Sequence, residues 1–259
     1  MPTLLSVTGL SDIGRIRRRN EDSLALDPDL GITVVADGMG GHPGGDVASQ
    51  VAARAACNML AEAIQADASA DGFTDRLRPL MAQAVLGAHA QIRERGSVEP
   101  HLDGMGTTLT AMVAHPTSGA WVIGHVGDSR AYRIHEGILE QITRDDTWIQ
   151  QQIESNPDLS PAAARHSPYA HLLTQCLGLE DEPTPQVLDG MAAAGDSFLL
   201  CSDGLVGMLE DHTMLSILAE SFAEPDQGPD VPILRLLAAA NDAGGNDNIT
   251  AALVRYTAD

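Results

Sequence analysis

Apolar and polar positions along the chain fall into two periodicities. Apolar residues at helical spacing predict helices at about 46–65, 74–95, 212–222 and 231–242, with a short helical patch near 147–153. Short apolar or alternating runs predict strands near 3–8, 23–26, 32–36, 107–114, 120–126, 130–135, 138–142, 186–188, 197–201 and 249–255. We expect Gly9 to close the first strand and Gly96 to stop the second helix.

The order of these elements is strands, two helices, many strands, two helices and one strand. Paired helices on an antiparallel core predict a layered α+β fold with helices outside and sheets inside. A chain of 259 residues makes one large domain or two small ones. The pattern is loosest at about 144–175, and a long stretch without firm elements is typical of a functional flap.

Charge and cysteine content narrow the function. The formal charge is −21, and Arg supplies every one of the 15 basic residues, clustered only at Arg15–Arg19. This excludes the basic face that a nucleic-acid or membrane-surface binder needs. Three cysteines without Cys-x-x-Cys spacing indicate buried free thiols in a reducing compartment. No signal peptide or apolar span is evident, so we expect a cytoplasmic protein.

The turn after the third predicted strand is the most informative stretch. The apolar run ends at Asp37, and four glycines among the next seven residues, 38–44, let the backbone come close to a ligand. A carboxylate beside bare glycine backbone can hold a hard cation through side-chain and carbonyl oxygens. An isolated Asp-Gly pair is more often an ordinary strand-to-helix turn.

Further acidic residues stand where predicted strands end or begin. They are Glu21, Asp22, Asp128, Asp203 and Asp247. If these strand ends converge, the carboxylates cannot stay ionised side by side without cations between them. All-oxygen ligands select magnesium, manganese or calcium over zinc.

Six motifs in order resemble the bacterial branch of the metal-dependent protein serine/threonine phosphatases, called PPM or type 2C. They are Arg17-x-x-Asn20-Glu21-Asp22, Ala36-Asp37-Gly38-Met39-Gly40-Gly41-His42, Gly106-Thr107-Thr108, Val126-Gly127-Asp128-Ser129-Arg130, Cys201-Ser202-Asp203-Gly204-Leu205 and Asn246-Asp247-Asn248-Ile249-Thr250. The resemblance implies a single phosphatase domain over residues 1–259. It also implies a four-layer α-β-β-α sandwich of two antiparallel sheets flanked by helix pairs.

The resemblance further implies a site with two tightly bound Mn²⁺ or Mg²⁺ ions and a third, weaker one. Asp37 would bridge the pair, with the Gly38 carbonyl on one ion and Asp203 and Asp247 on the other. Glu21 and Asp22 would hold waters bound to the metals, and Asp128 would hold the third ion. Arg17 would bind the substrate phosphate, and His42 would donate a proton. A turn histidine is as often merely packed or exposed.

The implied reaction is in-line attack on phosphorus by a water activated between two dications, without a phospho-enzyme. Cys201 is then a core thiol. The chain departs from the family in the flap, with Asp145-Asp146-Thr147 for Asp-His-Ser and Gln175 for an arginine. We expect Asp145, Asp146 and Thr147 to affect substrate docking.

The leading hypothesis is therefore a phosphoserine/phosphothreonine phosphatase that acts on phosphorylated proteins and opposes a bacterial Ser/Thr kinase. One alternative is a catalytically weak pseudo-phosphatase that binds phosphoproteins, and the intact Asp37, Asp203 and Asp247 argue against it. The other is a two-metal phosphodiesterase, and the charge of −21 argues against it.

Overall fold

A computed structural model describes residues 4–39, 44–67, 69–156, 169, 172–224 and 228–257. It contains two five-stranded sheets in which every named strand pair is antiparallel. The strands are β1 (Leu4–Asp12), β2 (Asp22–Asp27), β3 (Ile32–Asp37), β4 (Leu109–Ala114), β5 (Ala120–Val126), β6 (Arg130–His135), β7 (Ile138–Gln141), β8 (Gln186–Met191), β9 (Ser197–Cys201) and β10 (Ile249–Thr257). One sheet has the order β1-β10-β9-β6-β7 and the other β2-β3-β4-β5-β8.

A pair of helices covers the outer face of each sheet, and the described residues form two shorter helices as well. The helices are α1 (Gly45–Ala66), α2 (Phe73–Val98), α3 (Trp148–Ser155), α4 (Asp203–Val206), α5 (Asp211–Phe222) and α6 (Val231–Asp242), with a 3₁₀ turn at Pro100–Leu102. One apolar cluster joins α1 and α2 to the β2–β8 sheet, and a second joins α5 and α6 to the β1–β7 sheet. A third fills the space between the sheets. The expected α-β-β-α sandwich is confirmed.

Two predicted element ends are wrong because a glycine serves packing there. Strand β1 continues through Gly9 to Asp12, and a Cβ on Gly9 would lie 2.9 Å from Cδ2 of Leu24 on the opposing sheet. Helix α2 continues through Gly96 to Val98, and a Cβ there would lie 3.3 Å from the Leu102 carbonyl oxygen. Both glycines permit close approach within an element.

Part of the expected flap lies within the described residues. The short helical patch expected near 147–153 is helix α3, which begins after Thr147, whose hydroxyl accepts a hydrogen bond from the Gln150 N–H at 3.3 Å. Residues 157–168, 170 and 171 of the expected flap lie outside the described residues. Among the described helices, none is long and apolar enough to cross a membrane.

Candidate functional site

Five aspartates from both sheets meet at one end of the sandwich. Asp22 and Asp37 are cross-strand partners on β2 and β3, and Asp128 follows β5 of the same sheet. Asp203 begins α4 just after β9, and Asp247 lies just before β10 of the other sheet. Burial raises the pKa of Asp37 well above its usual range, and the charges of the other four aspartates raise it further. The five carboxylates therefore share one electrostatic site.

The cluster carries more negative charge than the protein offsets. Burial raises the pKa of Asp22 to about 6, and the Asp203 charge adds to the effect. Burial, followed by the charges of Asp203 and Asp145, raises the pKa of Asp128 to about 8. Raised pKa values of this kind show that burial and mutual repulsion disfavour the ionised carboxylates, and bound cations would stabilise the ionised forms.

Asp22 joins the two sheets at this end. Its side chain is 8% exposed, and its Oδ2 accepts hydrogen bonds from the Ser202 hydroxyl at 2.7 Å and the Thr250 hydroxyl at 2.6 Å. The Thr250 N–H in turn donates to the Ser202 Oγ at 2.9 Å. No role was predicted for Ser202 or Thr250 from the sequence, although a hydroxyl residue where an apolar strand ends or begins is a signal for one.

The turn after β3 requires glycine at position 38. A Cβ on Gly38 would lie 2.3 Å from the Gly45 carbonyl oxygen and 2.5 Å from that of Glu21, which is closer than a real Cβ approaches backbone. The Gly38 N–H donates to the Glu21 carbonyl at 3.1 Å. The turn thus holds the backbone of Gly38 tightly beside Asp37.

Two threonines fix the backbone of Asp37 from the neighbouring strand. The Thr107 hydroxyl and the Thr108 N–H donate to the Asp37 carbonyl at 2.8 and 2.9 Å, and the Asp37 N–H donates to the Thr108 hydroxyl at 3.0 Å. Both threonines are buried. The sequence analysis quoted this motif without a role, and the structure shows that it orients the predicted bridging ligand.

Asn248 holds the arginine loop against the site. Its Oδ1 accepts from the Glu21 N–H at 2.8 Å, and its Nδ2 donates to the carbonyls of Ile13 and Arg19, both at 2.9 Å. These two carbonyls flank Arg17 in the chain. Asn248 was part of a quoted motif but had no assigned role.

Arg17 reaches the carboxylate cluster at its rim. Its guanidinium donates to Asp247 Oδ2 at 2.6 Å, and Asp247 Oδ1 accepts the Asn248 N–H at 2.8 Å. Both oxygens of Asp247 are therefore engaged within the protein. Within the described residues, no three His, Cys, Asp or Glu side chains form a complete metal-ligand group by themselves.

Comparison with known proteins identifies the family. The family model described as protein phosphatase 2C matches residues 16–229. The chain belongs to this family. It is 38% identical over 250 residues to the serine/threonine protein phosphatase PstP of Mycobacterium tuberculosis, covering 95% of this chain and 44% of that protein. It is 33% identical to the serine/threonine phosphatase stp of Listeria monocytogenes, covering 94% and 93% of the two chains.

A solved family member is similar over nearly the whole chain. It is the catalytic domain of PstP in complex with two manganese ions, with a TM-score of 0.79, 34% identity and coverage of 98% of this chain and 99% of that one. The described chain spans about half the length of the PstP proteins that it matches.

The predicted docking residues of this phosphatase 2C member make contacts inside the protein. Asp146 is 2% exposed, its Oδ2 accepts the Gly127 N–H at 3.1 Å, and its N–H donates to the Gly127 carbonyl at 2.7 Å. Arg130 holds Asp145 with its Nε and Nη2, and Thr147 is buried as the cap of α3. The three side chains are engaged inside the protein in this conformation, and their role in substrate docking stays a prediction.

Asp146 and Gln175, which replace a histidine and an arginine of the family pattern, contact each other. The Gln175 Nε2 donates to Asp146 Oδ1 at 3.2 Å. The two departures thus form one hydrogen-bonded pair beneath the turn that carries Asp128, because Asp146 binds both the N–H and the carbonyl of Gly127. This pair positions the Asp128 turn.

Of two other predicted residues, the structure describes Cys201 but not His42. Cys201 is fully buried at the end of β9, and burial raises the pKa of its thiol to about 12, as expected for a core thiol. His42 lies outside the described residues, so its proton-donor role stays a prediction.

Proposed function

We propose that this protein hydrolyses phosphoserine and phosphothreonine in proteins with the help of two divalent cations, Mn²⁺ or Mg²⁺. One observation carries the proposal: carboxylates from both sheets converge at one end of the sandwich with Arg17 at their rim. Named serine/threonine phosphatases in the same family support the reaction class.

The donor set fits hard divalent cations. All side-chain ligands are oxygens, which magnesium and manganese prefer, and the excess negative charge needs a positive partner. We propose Asp37, the Gly38 carbonyl, Asp203 and Asp247 as direct ligands, with Glu21 and Asp22 holding waters in the outer shell. Asp128 would hold a third, weaker ion. The structure similar to this chain that contains two manganese ions supports the choice of metal.

The protein's own residues then account for substrate positioning. When bound, the cations acidify water and offset the charge of the phosphate oxygens. Arg17 presents a planar, permanently charged fork that binds a phosphate dianion through two hydrogen bonds. Asp247 would leave the guanidinium for its cation, which frees Arg17 for the substrate phosphate. Thr107 and Thr108 keep Asp37 in place, which leaves little reorganisation for the reaction.

The proposal extends to the domain, its substrates and its location. Because both sheets supply the site, residues 1–259 act as one phosphatase domain. The substrates are phosphorylated proteins, and the opposing enzyme is a cognate bacterial Ser/Thr kinase. We place this reaction in the cytoplasm, where such kinases have their substrates.

Phosphate release separates this proposal from its alternatives. The purified protein is incubated with Mn²⁺ and a phosphothreonine peptide, p-nitrophenyl phosphate or a nucleotide diester. We expect hydrolysis of both monoesters, little hydrolysis of the diester and complete loss of activity with EDTA. Full activity after exhaustive chelation would contradict the metal mechanism. Phosphopeptide binding without turnover would indicate a pseudo-phosphatase, and faster diester cleavage a phosphodiesterase.

A further inference from the structure

A cavity of about 760 Å³ lies beside the candidate site and takes no part in the proposed chemistry. The C-terminal part of α2, the segment around Met105 and the segment 173–183 line it. Its volume lies within the range of small-molecule and side-chain binding pockets, about 300–1,000 Å³.

The cavity wall is continuous with the metal-binding turn. Met105 lines the cavity, and the carbonyl of the next residue, Gly106, accepts the N–H of Met39 at 3.0 Å. Met39 directly follows Gly38, whose carbonyl is a proposed metal ligand. Standard backbone dimensions place the cavity wall within roughly 10 Å of that carbonyl. An extended peptide covers this distance in about three residues at 3.3 Å each.

The surface of the cavity combines an apolar floor with an acidic rim. Buried apolar side chains form the floor, namely Ile92, Leu102, Met105 and Cys176. Four exposed carboxylates stand at the rim, namely Asp103, Glu180, Asp181 and Glu182. Among the described residues, none of these four takes part in a salt bridge of 4 Å or less.

The lining contains a single described cation, Arg93, and it does not neutralise the rim. Its Nη1 donates to the Leu179 carbonyl at 2.8 Å, so it braces the 173–183 segment. The lining keeps an excess of negative charge. The matching ligand has an apolar stem and a positive head, which are the properties of arginine and lysine side chains.

We propose that this cavity binds a basic segment of the phosphoprotein substrate, three to five residues from the phosphorylated residue. The proposal rests on the proposed phosphatase function and adds a substrate preference to it. The apolar floor would take the methylene stem of an arginine or lysine, and the rim carboxylates would pair with its charge. The position follows from the short distance between the cavity and Gly38.

Steady-state kinetics on matched peptides test the preference. One phosphothreonine peptide carries an arginine pair three to five residues before the phosphothreonine, a second carries the pair after it, and a third carries glutamine at all these positions. We expect one of the basic peptides to exceed the neutral peptide about tenfold in kcat/KM, mainly through KM, as contacts to several rim charges allow. The excess should shrink at high salt, since exposed charges are screened.

A charge-removing variant assigns the preference to the cavity. Glu180→Gln/Asp181→Asn/Glu182→Gln should bring the basic and neutral peptides to within about twofold of each other, because only rim charge is lost. Turnover of the neutral peptide and of p-nitrophenyl phosphate should not change. The matched control Glu62→Gln/Asp71→Asn/Glu220→Gln removes the same number of exposed acids elsewhere and should keep the preference.

The kinetic results distinguish failure of the cavity proposal from failure of the phosphatase function. Equal kcat/KM for all three peptides on the unmodified protein would overturn it while phosphatase activity stands, as would a preference that survives the rim variant. If no peptide is hydrolysed, the phosphatase function is wrong. Fluorescence anisotropy with labelled peptides then still decides the cavity: tighter binding of a basic peptide, lost in the rim variant, supports it, and equal binding overturns it.

Discussion

The two ends of strand β9 place the same residue type in opposite environments. Asp196 precedes the strand and is 2% exposed, yet its oxygens accept hydrogen bonds from His135 Nδ1 at 2.6 Å, Arg133 Nη2 at 2.5 Å and the Ala193 N–H at 2.9 Å. Asp203 follows the strand and lies among four other carboxylates, including Asp37.

The carboxyl pKa values shift in opposite directions at the two ends of β9. Burial raises the pKa of Asp196, but the hydrogen bonds from His135, Ala193 and Arg133 outweigh it, and the net pKa is lowered. At the other end, burial and neighbouring carboxylates raise the pKa of Asp37 well above its usual range. A buried carboxylate with enough donors stabilises the fold, whereas a group of them without enough donors is ready to bind cations.

The largest expected effect is the loss of turnover at the site end. Asp37→Asn removes the carboxylate expected to contact both cations and should lower kcat by more than about a hundredfold, since even outer-shell partners of metal ligands often cost 10- to 100-fold. The measurement is phosphate release from a phosphothreonine peptide at saturating Mn²⁺. Circular dichroism serves as the control for folding, and a well-folded variant with near-normal turnover would contradict the assignment.

The next largest effect concerns Arg17, whose guanidinium lies at the site end. Arg17→Ala should raise KM for the phosphopeptide about ten- to a hundredfold, since hydrogen bonds to charged groups contribute about 1.5–3 kcal/mol. Arg18→Ala, in the same loop, should change KM little. Equal effects of both substitutions would mean that the loop acts only through its overall charge.

Asp196→Asn tests the opposite end of the strand. It weakens the pairing of Arg133 and His135 and should lower the free energy of unfolding by about 1–3 kcal/mol, the usual result when buried hydrogen-bond partners lose their acceptor. Manganese affinity should stay the same. Urea unfolding measures the stability, and a metal titration on the same preparation measures the manganese affinity. A loss of metal binding at unchanged stability would contradict the assignment of Asp196 to the fold and not to the metal site.

Acid should reduce the contribution of Asp196 to the free energy of unfolding. Because the pKa of Asp196 is lower in the folded than in the unfolded protein, its contribution to stability is present above the unfolded value, about 3.9, and is lost as pH falls through the folded pKa. The stability difference between the unmodified protein and Asp196→Asn should therefore narrow at acid pH. A difference that widens below pH 4 would contradict the lowered pKa.

The smallest expected effect belongs to Asp146, a buried carboxylate with donors that lies near the site end. Asp146→His disturbs its contacts with Gly127 and should lower turnover of p-nitrophenyl phosphate and of a phosphopeptide by the same factor, about tenfold or less. Asp146→Asn retains one acceptor oxygen and should have a milder effect. Loss on the phosphopeptide alone would instead support the predicted docking role.

Much of the fold follows from the chain's periodicity because each element has one buried side. Helix α6 and strand β9 have the bounds that their apolar residues predict. The ends of β1 and α2 could not be predicted. Gly9 packs against residues distant in sequence and Gly96 against the turn that follows the helix, and neither contact is visible in the sequence. The four-residue helix α4 is too short for a helical period to be visible.

The candidate site shows the same division. Aspartates at the ends and starts of strands were visible in the sequence, and the structure brings all five together. The supporting contacts were not visible, because the Ser202 and Thr250 hydroxyls reach Asp22 only once the two sheets pack together. The buried position of Asp146 was missed for the same reason, since its partners Gly127 and Gln175 come from two separate segments.

A manganese titration by calorimetry tests most directly whether the crowded carboxylates are the metal site. The unmodified protein and Asp128→Asn should each bind two Mn²⁺ ions tightly, because Asp128 is proposed to hold only a third, weaker ion. Asp37→Asn should not, since Asp37 is expected to contact both ions of the pair and to set their separation, about 3.5–4 Å in two-metal sites. Tight binding of two ions by Asp37→Asn, together with its loss in Asp128→Asn, would contradict this assignment of the site.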